Sequence, residues 1–256
     1  MIDLHAHILP AIDDGPRELA VALEMARAAV ADGVTVMAAT PHGRNSFNPA
    51  SRYSVPYLLQ CLSELRVALH TAQIPLELVP GTECYGEAGL ADRLRTGELL
   101  AYGTSRAVLV EFSAQISQQA LEQIVFELQL AGYRVVVAHP ERLHYVAADP
   151  NRLIPLIERG ILLQLTADAL LGNQGERLER LARTLLTHRL IHLIASDCHG
   201  PHFGRMPNLG QAQQRVLALC DAATATYLTH TVPAAILADT PLTLPEPLRV
   251  RRFGIF

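Results

Sequence analysis

Ile2-Asp3-Leu4-His5-Ala6-His7 is a short, largely apolar run that reads as a β-strand and ends in two histidines. Alternate residues of a strand share a face, so the i, i+2 spacing sends both imidazoles to one side. Six more apolar, β-branched runs follow, giving expected strands at 2–5, 34–39, 75–80, 106–111, 133–138, 161–165 and 190–195. Longer amphipathic stretches separate them. Residues 17–32, 54–72, 117–131, 150–159 and 174–188 read as helices, and 87–100 as a weaker helix or loop. In the first, Leu19, Ala22, Leu23, Ala26, Ala29 and Val30 form one stripe, and Gly33 is placed to end it. After the seventh strand, 209–220 and 222–230 read as helical. This alternation predicts an α/β protein with a mostly parallel sheet, closed or nearly closed into a βα barrel. An open doubly wound sheet is the alternative.

Composition narrows the classes. The 256 residues, half of them hydrophobic, fit one large domain or a barrel of about the usual 250 residues. A net charge of -4 and a pI near 6.2 argue against general affinity for nucleic acid or anionic membranes. No run approaches the ~18 apolar residues that span a bilayer, and no secretory signal fits the opening residues. Cys61, Cys84, Cys198 and Cys220 have no CxxC spacing and read as reduced thiols of a cytoplasmic protein. None has an arginine six residues on, so the C-x5-R motif of cysteine phosphatases is absent. The chain has no lysine, which removes a P-loop lysine, Schiff-base chemistry and a carbamylated-lysine metal bridge. Residues 1–240 read as a single domain. The tail, 241–256, is proline-rich and then basic and aromatic (Arg249, Arg251, Arg252, Phe253, Phe256); it reads as a packed or disordered terminus, with membrane or kinase contact as the alternative.

A barrel gathers its function at the C-terminal ends of its strands. Those ends carry His5 and His7, His42, Glu83, Glu111, His139, and Asp197 with His199; the loop after the first strand adds Asp13-Asp14. Only the sixth strand lacks a strong ligand, offering Gln164 and Thr166. Each residue has a bland reading: a structural HxH, a loop-capping Glu83, a Glu111 paired with arginine, an ordinary turn at 139–142. Acids that end apolar runs nevertheless need partners when buried, and the joint pattern reads as a multinuclear metal site. Its oxygen and nitrogen donors suit Mn²⁺, Fe²⁺ or Co²⁺, with Zn²⁺ possible. Arg142 and Arg205 lie close in sequence to candidate ligands, and the planar guanidinium fork fits phosphate; Arg44 is a weaker candidate. His70, His188, His192 and His230 read as structural or solvated, while His144 and His202 fall in loops near the site. Strand alternation turns Cys84 and Cys198 away from the site, into packing.

Taken in order, these segments resemble the PHP (polymerase and histidinol phosphatase) superfamily. They run from Met1-Ile2-Asp3-Leu4-His5-Ala6-His7 and Ile12-Asp13-Asp14-Gly15 through Ala39-Thr40-Pro41-His42, Gly81-Thr82-Glu83-Cys84-Tyr85 and Val110-Glu111-Phe112-Ser113. Ala138-His139-Pro140-Glu141-Arg142 and Ala195-Ser196-Asp197-Cys198-His199 complete them. Within the superfamily the chain is most similar to the CpsB/YwqE-type tyrosine-protein phosphatases of capsule and exopolysaccharide operons. The resemblance implies a distorted seven-stranded barrel that holds up to three ions, manganese foremost. It assigns His5, His7 and Asp197 to the first ion, and Glu83 as the bridge to a second completed by Glu111 and His139. Asp14, His42 and His199 would bind the third, with Asp14 rather than Asp13 as the ligand. Arg142 and Arg205 would hold the phosphate, alongside Asp197 and His42 in the catalytic set. Closely spaced metals make hydroxide from a bridging water and neutralise phosphoryl oxygens, which implies hydrolysis of a phosphate monoester. The implied substrate is protein phosphotyrosine, on the Tyr-rich tail of a membrane-associated bacterial tyrosine kinase. The alternatives are a histidinol-phosphatase-like enzyme of small molecules, a mononuclear amidohydrolase, and an inactive module that binds phosphotyrosine.

Overall fold

The computed structural model describes residues 1–43 and 53–251. Eight short strands run through it: β1 (Ile2–Ala6), β2 (Val36–Ala39), β3 (Glu77–Pro80), β4 (Glu83–Tyr85), β5 (Ala107–Glu111), β6 (Arg134–Ala138), β7 (Leu162–Thr166) and β8 (Leu193–Ala195). The longer helices are α1 (Leu19–Ala31), α2 (Val55–Thr71), α4 (Gln118–Leu130), α8 (Glu176–Thr187) and α9 (Leu209–Leu219). Shorter ones are α3 (Leu90–Arg95), α5 (His144–Ala148), α6 (Ile154–Glu158), α7 (Ala167–Leu171), α10 (Ala222–Thr226) and α11 (Val232–Leu237). Local chemistry sets the main boundaries. Ser54 caps α2 and Ser117 caps α4 through their hydroxyls, and Gly33 takes a φ of 93° just past α1.

All strand pairs are parallel, but they form two sheets, β1-β2-β3 and β4-β5-β6-β7-β8. The single strand expected at 75–80 is therefore followed by a second segment that changes partner, from β2 to β5. Gly81 and Thr82 make that break: the Thr82 hydroxyl accepts the Leu100 N–H at 3.1 Å, and a Cβ on Gly81 would sit 3.0 Å from the Thr40 methyl. Isolated bridges join the sheets at both seams. At one, Gly43 N–H donates to Glu83 O (2.8 Å) and Glu83 N–H to Pro41 O (3.1 Å). At the other, His7 N–H donates to Cys198 O (2.9 Å) and Asp197 N–H to His5 O (2.8 Å).

Strand alternation divides the core in two. Val108, Val110, Val135, Val137, Leu163 and Ile194 face the helices, whereas Leu109, Val136, Leu162 and Leu193 join Leu4 in a separate interior cluster. β1 breaks this alternation. Its register against β2 advances three residues while β2 advances two, a β-bulge. Leu4 belongs to the interior cluster while Ala6 and Ile8 belong to the helix-facing one, so the bulge leaves His5 and His7 on the interior side. The segment after α11 lies against the body: Leu242 and Leu244 pack on the interior cluster, and Asn151 and Val250 exchange two hydrogen bonds. Arg252, Phe253 and Phe256 lie outside the described residues. Among the described residues no helix is long and apolar enough to cross a membrane.

Candidate metal centre

All nine candidate ligands converge at the C-terminal ends of the strands. His5 Nε2 lies 3.3 Å from His7 Nε2 and 3.4 Å from Asp197 Oδ1, and His7 Nε2 lies 3.6 Å from the same carboxylate oxygen. Glu83 reaches into the middle of the cluster. Its Oε1 is 2.9 Å from His139 Nε2 and 3.2 Å from His5 Nε2, and its Oε2 is 3.2 Å from His7 Nε2 and 3.0 Å from His42 Nδ1. Glu111 Oε1 approaches His42 Nδ1 at 3.4 Å. Asp14 Oδ1 lies 3.3 Å from His199 Nε2 and 3.6 Å from His42 Nε2. Four overlapping sets place every ligand atom within 4.8 Å of the others in its set: His7–Asp14–His42–His199, His5–His7–Glu83, His5–His139–Asp197 and His42–Glu83–Glu111. The sets interlock more than the implied three-ion assignment: His139 also groups with His5 and Asp197, and His42 joins two sets.

Asp13 behaves differently from its neighbour. Its Oδ2 accepts from His7 Nδ1 at 2.7 Å and from the His42 N–H at 3.0 Å, and its Oδ1 accepts the Gly15 N–H at 2.9 Å. It therefore fixes the His7 ring with Nε2 toward the cluster, the usual outer-shell task of a carboxylate behind a metal-binding histidine. Gln164 does the same for His5, its Oε1 accepting from Nδ1 at 2.9 Å. From sequence Gln164 stood out only as a polar residue on the strand without a ligand; an amide on an apolar, inward-facing strand was the available signal. Asp3, which sequence reasoning passed over, is buried beneath the cluster and accepts the Ser196 N–H at 3.0 Å; burial pushes its carboxyl up to about 6.

The backbone is bent where ligands are presented. His139 and Asp197 adopt φ values of 34° and 52°, a left-handed conformation uncommon for residues with a Cβ and concentrated at functional sites. The electrostatics are equally unusual. Burial disfavours a charged imidazole at both His7 and His42, yet the Asp13 carboxylate lifts His7 to about 10, and Glu83 with Glu111 lifts His42 to about 12. Against its own burial, Glu83 is held well below the usual carboxylate range by His5, His42 and His139. Asp197 is held low by His5, Arg142, His139 and Arg205.

Two guanidiniums meet Asp197 from the rim. Arg142 Nη2 donates to Asp197 Oδ2 at 2.7 Å; Arg205 Nη2 donates to the same oxygen and to Asp197 O at 2.6 Å. Arg44 lies outside the described residues. His202 Nε2 bonds Asp14 O at 3.1 Å, while His144 opens α5 rather than sitting in a loop. His192 is buried at the opposite ends of the strands, and His188 bonds the Thr184 carbonyl at 2.9 Å. Cys84 and Cys198 are buried free thiols.

Comparison with known proteins decides the family. Residues 1–238 match the CpsB/CapC family, described as capsular polysaccharide synthesis. The chain belongs to this family. It is 38% identical over 201 residues to the tyrosine-protein phosphatase YwqE of Bacillus subtilis, covering 78% of this chain and 77% of that protein. To the putative tyrosine-protein phosphatase CapC of Staphylococcus aureus it is 33% identical, with the same coverage. A chain from the crystal structures of YwqE from Bacillus subtilis and CpsB from Streptococcus pneumoniae, described as unique metal-dependent tyrosine phosphatases, superposes with a TM-score of 0.89 at 32% identity. That match covers 98% of this chain and 100% of the other.

Proposed function

We propose that the chain is a metal-dependent phosphatase of protein phosphotyrosine. The observation that carries this reading is the approach of Arg142 and Arg205 to Asp197 at the rim of a buried imidazole–carboxylate cluster. The cluster is suited to divalent cations. Among the described residues, the carboxylates of Asp14, Glu83, Glu111 and Asp197 face these two arginines as fixed positive charges, and buried charge needs compensation. Glu83 Oε2 is buried with two imidazole nitrogens beside it, His7 Nε2 at 3.2 Å and His42 Nδ1 at 3.0 Å. Cations would supply the positive charge that raised imidazole pKa values otherwise supply as protons.

In this reading His5, His7 and Asp197 would hold one ion, Glu83 would be shared with a second held by Glu111 and His139, and Asp14, His42 and His199 would hold a third. Mn²⁺ is the preferred ion for such donors, ahead of Fe²⁺, Co²⁺ and Zn²⁺. Bound cations lower the pKa of water and screen phosphoryl oxygens. Arg142 and Arg205 orient the phosphate, and among the described residues Arg205 Nε is a donor without a partner. Tyrosine is a good leaving group, with a phenol pKa of ~10, so a strong general acid is unnecessary. The buried thiols of Cys84 and Cys198, pushed up by desolvation, are unsuited to nucleophilic attack. We read the two sheets as one distorted seven-stranded barrel, with β3 and β4 a single interrupted strand, forming a domain over 1–240 with 241–256 as its tail. The physiological substrate we assign is the Tyr-rich tail of a membrane-associated kinase, met in the cytoplasm.

The test strips the protein of metal and reloads it with Mn²⁺, Fe²⁺, Co²⁺ or Zn²⁺. Turnover is then followed on a phosphotyrosine peptide, a phosphoserine peptide and histidinol phosphate. Manganese should restore activity and the phosphotyrosine peptide should be preferred. Full turnover by the stripped protein sinks the mechanism, and preference for histidinol phosphate sinks the substrate. Peptide binding without turnover identifies a binding module instead.

A further inference from the structure

The mouth of the site carries an aromatic ring with no role in holding metal. Phe203 is 54% exposed, and its ring stands 6.0 Å from that of His199 at 82°. Other exposed large hydrophobics sit on the outer helices or the tail, such as Val67 on α2, Phe126 and Leu130 on α4, and Leu248. Among the described residues, Phe203 is the one of this group whose ring contacts a candidate ligand. With six phenylalanines, seven tyrosines and no tryptophan, the chain has few aromatics to leave in solvent at this position.

The loop that presents it is stiff. His199 N–H and Gly200 N–H both donate to Arg205 O, at 2.9 and 3.0 Å, and Arg205 N–H returns to Gly200 O at 3.1 Å. Gly200 and Gly204 take φ values of 106° and 65°, and Pro201 fixes the backbone between them. His202 packs on Phe203 with ring centroids 4.4 Å apart and ties the loop to Asp14 O. A hairpin built between a candidate ligand and a phosphate-directed arginine thus holds a phenyl face toward solvent. The loss of freedom on binding has already occurred in the folded protein.

We infer that Phe203 is a specificity-determining residue, its ring packing against the aryl ring of the ester while the phosphate sits on the metal cluster and arginines. The inference rests on the phosphatase reading above. An aryl ring bonded to the phosphate through a single oxygen, leaving the cluster on the His199 side, comes within offset or edge-to-face range of Phe203. The short alkyl arm of a serine ester offers nothing to pack there.

The experiment compares the metal-loaded wild type with Phe203→Ala, Phe203→Tyr and Phe203→Leu on phenyl phosphate, free phosphotyrosine, a phosphotyrosine peptide and ethyl phosphate. Aromatic pairing predicts that Phe203→Ala raises KM for every aryl ester by about threefold to tenfold, moves kcat less, and lowers the aryl-to-alkyl ratio of kcat/KM. Phe203→Tyr should restore the ratio and Phe203→Leu recover it in part, while inhibition by inorganic phosphate stays the same. A ratio unchanged in Phe203→Ala overturns the inference. So does a loss confined to the peptide, which would assign Phe203 to a neighbouring peptide side chain. No turnover of aryl esters by the wild type is a separate outcome that rejects the phosphatase reading itself.

Discussion

The two ends of the strands bury histidines under opposite rules. At the mouth, His7 and His42 lie among carboxylates that lift them to about 10 and about 12. At the floor, His192 is fully buried, and burial pushes it down to about 4. Its Nδ1 accepts the Leu163 N–H at 3.1 Å, so the neutral ring stitches β7 to the start of β8. The interior cluster of Ile2, Leu4, Leu109, Val136, Leu162 and Leu193 is joined by Val232 and Ile236 of the last helix. The same side chain is thus held charged by carboxylates at one end while no cation is there, and is a neutral structural acceptor at the other. Burial alone does not identify a functional histidine; the acids around it do.

This contrast can be broken most severely at the mouth. Glu111→Ala removes one carboxylate from the His42–Glu83–Glu111 set without opening the floor. Because a metal supplies several kcal/mol of charge stabilisation, turnover should fall on the order of a thousandfold or more, with the unfolding midpoint of the metal-free protein in denaturant nearly unchanged. Activity within tenfold of wild type would detach Glu111 from the site.

The floor is probed by acid. The pKa of His192 is lowered on folding, so the unfolded chain binds the extra proton first as pH falls. Stability should be undiminished above about 6.5, decline from there to about 4, and level off below, a loss of about 3 kcal/mol in total. Urea unfolding of wild type and His192→Gln across this window, both with metal, isolates the effect. The gap between the two should shift in favour of the variant as pH falls, and parallel curves would refute the assignment.

A smaller effect sharpens the line between ligand and orienting residue at the mouth itself. Asp13→Asn should weaken metal binding by about 10- to 100-fold, by loosening the His7 ring rather than deleting a donor. Titration of the stripped protein with Mn²⁺ reads this directly. Complete loss of one ion would make Asp13 a ligand after all.

Much of the strand order could be read from the chain because apolar runs and strand-end ligands coincide in register. Short elements escaped: α5 and α7 have five residues each, too few for a helical period to register. The break at Gly81-Thr82 was invisible because the change of partner from β2 to β5 is a tertiary event. So was the bulge in β1, since simple alternation already set His5 and His7 on one face and gave no hint that Leu4 shares it. The supporting shell was harder still. Asp13 and Gln164 act through hydrogen bonds to ligands 6 and 159 residues away, and spacing alone cannot pair them. Phe203 left no trace in a hydrophobic pattern, being a single aromatic between glycines.

The seams would give a bound metal a second task. One seam is stitched at His42 and Glu83, the other where His5 and His7 meet Asp197 and Cys198. The His42–Glu83–Glu111 set spans the first, and the His5–His139–Asp197 set spans the second. Any ion held there would add a clasp to a joint that the backbone closes with two hydrogen bonds at each seam. Loading should therefore slow amide hydrogen exchange at His7, Gly43 and Glu83, so that metal supply governs mechanical closure of the molecule as well as its chemistry.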